Sequence, residues 1–297
     1  MLLLRKFKRV AGMYNMKLEV SVDCIKLIHL LFSLTEDRSE PYLNARKCLE
    51  KKKFENCLRK KVSEKIDKCL SKWKSEIKDC GKNQDCKRRV VKEAIACLKS
   101  LESSDDCCIG YLVEFLRSWN KNRRKYNLEL VINIIKKVMD FIKFGNNINS
   151  LNPEVFRFEE YEFIGVIKIL HVLKPNIYPL LDNPIAESLD LFSQISQNDP
   201  PEEKILKKIE AYKRFKFCLD ILIKEYFPIY NPIFRGIEIH PYKTIDEFLF
   251  LAISKDKKEI LDLLSSMKML SEEGSQCIRN AFLLKCRLEN CLKCFTS

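Results

Sequence analysis

The chain has 297 residues, 46% of them apolar and 32% charged; that is length for one large or two ordinary folded domains, and a composition that excludes disorder. Its seven glycines include no G-x-G, which excludes the phosphate-cradling loops of Rossmann and P-loop proteins. The net charge of +13 is concentrated, because residues 46–126 hold 24 Lys/Arg against 12 Asp/Glu, whereas residues 127–297 hold 23 against 24. A basic unit of this kind is either a solvated helical face or a surface for an anionic partner.

Residues 1–17 carry Arg5, Lys6, Lys8, Arg9 and Lys17 and no acid, and an apolar run follows from Ile25 to Leu34. That order reads as a leader or signal-like segment over 1–40, with a mitochondrial presequence or a packed N-terminal helix as the other readings. No stretch reaches about 18 uninterrupted apolar residues, so no transmembrane helix is expected.

A helix is expected over about 44–80, with apolar positions Leu58, Val62, Ile66, Cys69, Trp73, Ile77 and Cys80 at steps of three and four. Its other faces are Lys, Arg and Glu, so the stripe needs a partner helix. Gly81 suits the left-handed residue after a helix end. A second helix over about 86–102 carries Cys86, Val90, Ala94, Cys97 and Leu98, and a third opens at Cys108. In an antiparallel hairpin turning at 81–85, facing residues have numbers with a constant sum. Cys80 with Cys86 and Cys69 with Cys97 give the same value, 166. Two disulfide rungs follow if the compartment is oxidising; reduced core thiols are the alternative. Partners for Cys48, Cys57, Cys107 and Cys108 are not assigned by this arithmetic.

This twin-cysteine hairpin resembles the coiled-coil-helix–coiled-coil-helix (twin Cys-x9-Cys) family of the mitochondrial intermembrane space. The resemblance covers 69–97, where both spacings are Cys-x10-Cys. It implies two helices joined by nested disulfides, and it makes the intermembrane space an alternative location.

Lys121, Arg123, Arg124 and Lys125 form a polar run that reads as a linker and as the candidate anion-contact residues. No aromatic residue interleaves it, so base stacking is not suggested and a nucleic-acid partner is not expected. From about 128 onward the pattern is a string of helices: 128–144, 158–173, 183–196, 201–228, 245–254, 256–267 and 272–294. Thr244-Ile-Asp-Glu247 reads as a capping box. Residues 247–264 resemble the helix pair of one ankyrin repeat, ending Leu-Ala-Ile and resuming Glu-Ile-x-x-Leu-Leu, without the Thr-Pro-Leu-His of that family. That likeness implies a protein-binding surface with reduced cysteines.

His29, His171 and His240 lie far apart, none in an H-E-x-x-H, and each reads as structural. Cys277, Cys286, Cys291 and Cys294 sit on one predicted helix without the Gly or Pro of a zinc knuckle, so disulfides or free thiols are preferred to a metal, with Cys218 as a possible partner. No cofactor is expected.

The expected protein is therefore all-α, a disulfide-stapled basic hairpin domain (41–121) followed by a neutral multi-helix domain (126–297). The leading expectation is a non-enzymatic secreted or lumenal protein that binds an unknown protein or an anionic surface. The alternatives are an intracellular, cytoplasmic helical-repeat adaptor, and a lipid-binding or membrane-active protein built on 128–144 and 163–173. Nothing in the sequence signals an oligomeric state.

Overall fold

The computed structural model describes residues 18, 20–35, 39–51, 60–101, 108–118, 128–144, 148–151, 153, 162–227, 233–234, 237–253 and 272–295. The fold is all-α. Eleven helices occur among the described residues: α1 (Val22–Thr35), α2 (Ser39–Lys51), α3 (Lys60–Asp79), α4 (Gln84–Ser100), α5 (Ile109–Ser118), α6 (Leu128–Phe144), α7 (Glu162–Leu173), α8 (Asn183–Ser188), α9 (Pro201–Tyr226), α10 (Pro241–Ile253) and α11 (Glu272–Lys293). The strands β1 (Ile233–Phe234) and β2 (Ile237–Glu238) form a two-residue antiparallel ladder.

The chain forms two compact units, Glu36–Gly145 and Met1–Thr35 with Asn146–Ser297. These divisions differ from the expected 1–40, 41–121 and 126–297. Helix α1, expected inside a leader, packs on α10 and α11, and its Cys24, Ile25 and Ile28 are core residues. Helix α6 groups with the basic unit because its apolar stripe, Val131, Ile132, Ile135 and Val138, is buried and the helix packs on α5.

In the 36–145 unit, α3 and α4 form an antiparallel hairpin. Gly81 takes φ +53 after α3, and its N–H donates to the Lys78 carbonyl at 3.1 Å. Asn83 then caps α4, its Oδ1 accepting from the N–H groups of Asp85 and Cys86 at 3.0 Å. On its other side α4 meets α5 backbone to backbone: a Cβ added at Gly110 would sit 2.6 Å from the Lys99 nitrogen. Only a glycine permits that approach. Helix α5 also packs on α2, with Tyr42 and Phe115 rings 5.8 Å apart. The single helix expected over 44–80 is described as α2 and α3, residues 52–59 lying outside the described residues.

The second unit is built on α7, α9, α10 and α11. Val166, Ile167, Ile169, Leu170 and Val172 are all buried, and so are Lys168 and His171, so α7 is enclosed around its circumference with two polar side chains on one arc. The helix expected over 183–196 ends at Ser188. There the Leu191 N–H donates to the Ala186 carbonyl and the Asp190 N–H to the Glu187 carbonyl, with Asp190 at φ 50. This is the left-handed helix stop that glycine usually supplies; here an aspartate supplies it. Helix α10 starts at Pro241, three residues before the expected capping box, and the Lys243 and Thr244 N–H groups donate to the His240 carbonyl. Thr244 is thus helical and buried, so its side chain is free for another partner.

Candidate functional site

The hairpin carries two disulfides, Cys69–Cys97 and Cys80–Cys86, with Cα separations of 6.0 and 5.5 Å. These are the pairs that the constant-sum arithmetic gives. A third, Cys48–Cys108, joins α2 to the start of α5 across 5.8 Å. Cys57 and Cys107 lie outside the described residues, as do Lys121, Arg123, Arg124 and Lys125.

The stapled seam turns the long polar side chains outward. Lys68, Lys72, Lys74, Lys78, Lys82, Arg88, Arg89 and Lys92 are exposed. Lys72 pairs with Glu76 at 3.6 Å, Arg88 with Asp85 at 3.3 Å and Arg89 with Glu93 at 3.9 Å. Surface pairs of this kind are worth about 0–1 kcal/mol, so they yield readily to a stronger anion. Lys68, Lys78, Lys82 and Lys92 have no ion-pair partner among the described residues. The cationic surface that sequence reading assigned to 121–125 has a firmly held counterpart here, on rigid helices rather than in a linker.

The other unit holds a buried charge cluster. His29 Nδ1 of α1 lies 2.5 Å from Glu247 Oε2 of α10. Lys243 Nζ lies 2.9 Å from Asp246 Oδ2 and 3.3 Å from Glu247 Oε1. Thr244 Oγ1 is 3.3 Å from His29 Nε2. Nearby, Lys168 of α7 lies 3.8 Å from Asp182, the residue before α8. None of these six ionisable side chains is more than 8% exposed. Burial pushes the Asp246 carboxyl up to about 6, with Lys243 pulling it the other way. Burial also acts to raise Glu247, but His29 and Lys243 together outweigh it and hold that carboxyl below its ordinary value.

Three acids and three bases are thus enclosed away from solvent, with His29–Glu247 joining α1 to α10 and Lys168–Asp182 joining α7 to the start of α8. His171 and His240 are likewise engaged: the His171 ring nitrogen lies 2.8 Å from the Tyr178 carbonyl oxygen, and the Tyr242 N–H donates to His240 Nδ1. Sequence reading missed the cluster because its members come from residues 29, 168, 182 and 243–247, and the capping-box pattern drew Thr244 and Glu247 into a local role.

The C-terminal cysteines do not converge. Cys277 is joined to Cys24 and Cys291 to Cys218, while Cys286 and Cys294 are free thiols. No group of metal-ligating side chains occurs among the described residues. The first helix of the ankyrin-like pair falls within α10, whose residues 242–249 are buried; its second helix lies outside the described residues. No described helix is long and apolar enough to cross a membrane. No family model, curated protein or solved structure matches this chain.

Proposed function

We propose that this protein is a non-enzymatic binding protein of an oxidising compartment, secreted or lumenal, whose stapled α3–α4 hairpin contacts an anionic surface. The observation that carries this reading is the covalent fixing of that hairpin at two levels, at its turn and midway along α3. Two disulfides hold a helix pair that presents eight exposed cations and buries little apolar surface. Disulfides at this density are compatible with an oxidising compartment and speak against the reduced adaptor. The cysteine pairs Cys24–Cys277 and Cys218–Cys291 extend the same chemistry to the second unit. The apolar helices α6 and α7 offer a lipid-binding reading little support, since their described apolar side chains are mostly core.

Rigid placement is what the disulfides contribute to binding. Cations held on packed helices lose less freedom on meeting an anion than the same cations on a loose chain. Their attraction is screened by salt over about 8 Å at physiological ionic strength, so binding should be strongly salt-dependent. The test is retention of the full chain on immobilised heparin and on vesicles rich in phosphatidylserine, at low and high salt. The parent should be retained at low salt and released at high salt. Lys78→Glu with Arg88→Glu and Lys92→Glu should pass through. Equal retention of parent and triple variant would overturn the assignment of the surface to this hairpin.

A further inference from the structure

A half-enclosed cleft of about 390 Å³ lies in the second unit, between the turn that follows α8, the middle of α9 and the end of α11. Its apolar lining comes from Leu189, Leu191 and Leu292. The left-handed stop at Asp190 sets the turn that carries the first two: the Leu191 N–H returns to the Ala186 carbonyl, folding the chain back beside α8. The cleft also contains Arg214, half-buried, with no hydrogen-bond or ion-pair partner among the described residues. Lys293 lines it as well. Two acids are present: Asp190, exposed on the turn, and Glu289, whose Oε1 is held by Lys285 at 2.5 Å. The unanswered charge in the cleft is therefore the Arg214 guanidinium.

We propose that this cleft binds a small carboxylate with an apolar body, the carboxylate on Arg214 and the apolar part against Leu189, Leu191 and Leu292. A guanidinium presents a planar fork of donors that matches a carboxylate in two parallel hydrogen bonds. The volume lies within the range of small-molecule sites, about 300–1,000 Å³. This site is independent of the hairpin: it lies in the other unit, and its one unpartnered cation is an arginine rather than a field of lysines.

Isothermal titration of the full chain tests it, with decanoate as the probe, kept below the concentration at which it forms micelles, and decanol and decylamine as comparisons. Decanoate should bind saturably at one site, and decanol should bind at least about tenfold more weakly, the worth of a charge-assisted pair. Arg214→Met should remove that preference with little effect on stability, because the guanidinium has no partner to lose. Leu191→Trp should fill the cleft and abolish binding. Should that buried substitution fail to fold, Ser193→Trp, at an exposed position on the same turn, gives the same reading. The hairpin triple variant should bind decanoate as the parent does. Equal affinity for decanoate and decanol, unchanged decanoate binding by Arg214→Met, loss of binding in the hairpin variant, or no saturable binding would each overturn the proposal.

Discussion

Both units carry disulfides, but the cores that those disulfides supplement differ. In the hairpin, α3 buries only Ile66, Cys69 and Leu70 among its described residues, and α4 buries Val90, Ala94 and Leu98. Such a pair has little apolar area with which to offset its chain entropy, and disulfides do part of that work by restricting the unfolded chain. The 146–297 segment with α1 has the reverse endowment. Its helices α7 and α10 are buried almost throughout, and it can enclose six ionisable groups. Covalent links offset a sparse core in one unit; in the other they accompany a core large enough to enclose a buried ionic network.

Breaking each device should therefore harm its own unit. The largest effect is expected from Glu247→Ala. It leaves His29 and Lys243 buried without their shared carboxylate, at a cost of about 3–5 kcal/mol. Hydrogen exchange should rise in α1, α10 and α11 while the hairpin keeps its protection. Replacing Cys69 and Cys97 together by Ser should cost the hairpin about 3–4 kcal/mol for a loop of 28 residues. Replacing Cys80 and Cys86, six residues apart, should cost only about 2 kcal/mol. Denaturant unfolding monitored by exchange in α3 and α4 separates the two, and equal losses would contradict a loop-entropy origin.

Asp246 sharpens the comparison through pH. Its carboxyl titrates at about 6 in the folded chain, against about 3.9 when unfolded. The folded state thus holds the proton more tightly, so the associated stability is complete below about pH 4 and is lost as pH rises through about 6. Asp246→Asn should escape that loss and gain about 2–3 kcal/mol on the parent between pH 4 and pH 7. Denaturation midpoints across that range check it; a constant difference between the two proteins would refute the role of Asp246. The most local expected effect is that of Gly110→Ala. Its methyl group would meet the Lys99 and Leu98 backbone, at a cost of about 1–3 kcal/mol confined to the α4–α5 contact. Thermal unfolding of the variant measures it.

What the sequence made legible follows from distance along the chain. The hairpin could be read because its cysteines recur at helical spacing on either side of a five-residue turn, so local geometry alone selects the pairs. Cys24–Cys277 spans 253 residues, and no local pattern connects its ends. The same holds for His29 and Glu247, whose meeting depends on α1 docking against α10. Two local signals pointed to the wrong structure. Thr244 and Glu247 fit a capping box, yet the helix begins at Pro241 and both side chains serve the buried cluster. The apolar pattern past Ser188 continued, yet Asp190 in the left-handed region ended the helix where no glycine marked the stop. That turn also forms one wall of the cleft.

The central claim is that most cysteines of this chain are paired in the native protein. Intact mass after alkylation of the native protein, without and with reductant, tests it most directly. The account predicts that Cys286 and Cys294 alkylate without reductant, while the ten cysteines of the five described pairs react only after reduction. Alkylation of all fourteen cysteines in the unreduced protein would contradict it and return the chain to a reducing compartment.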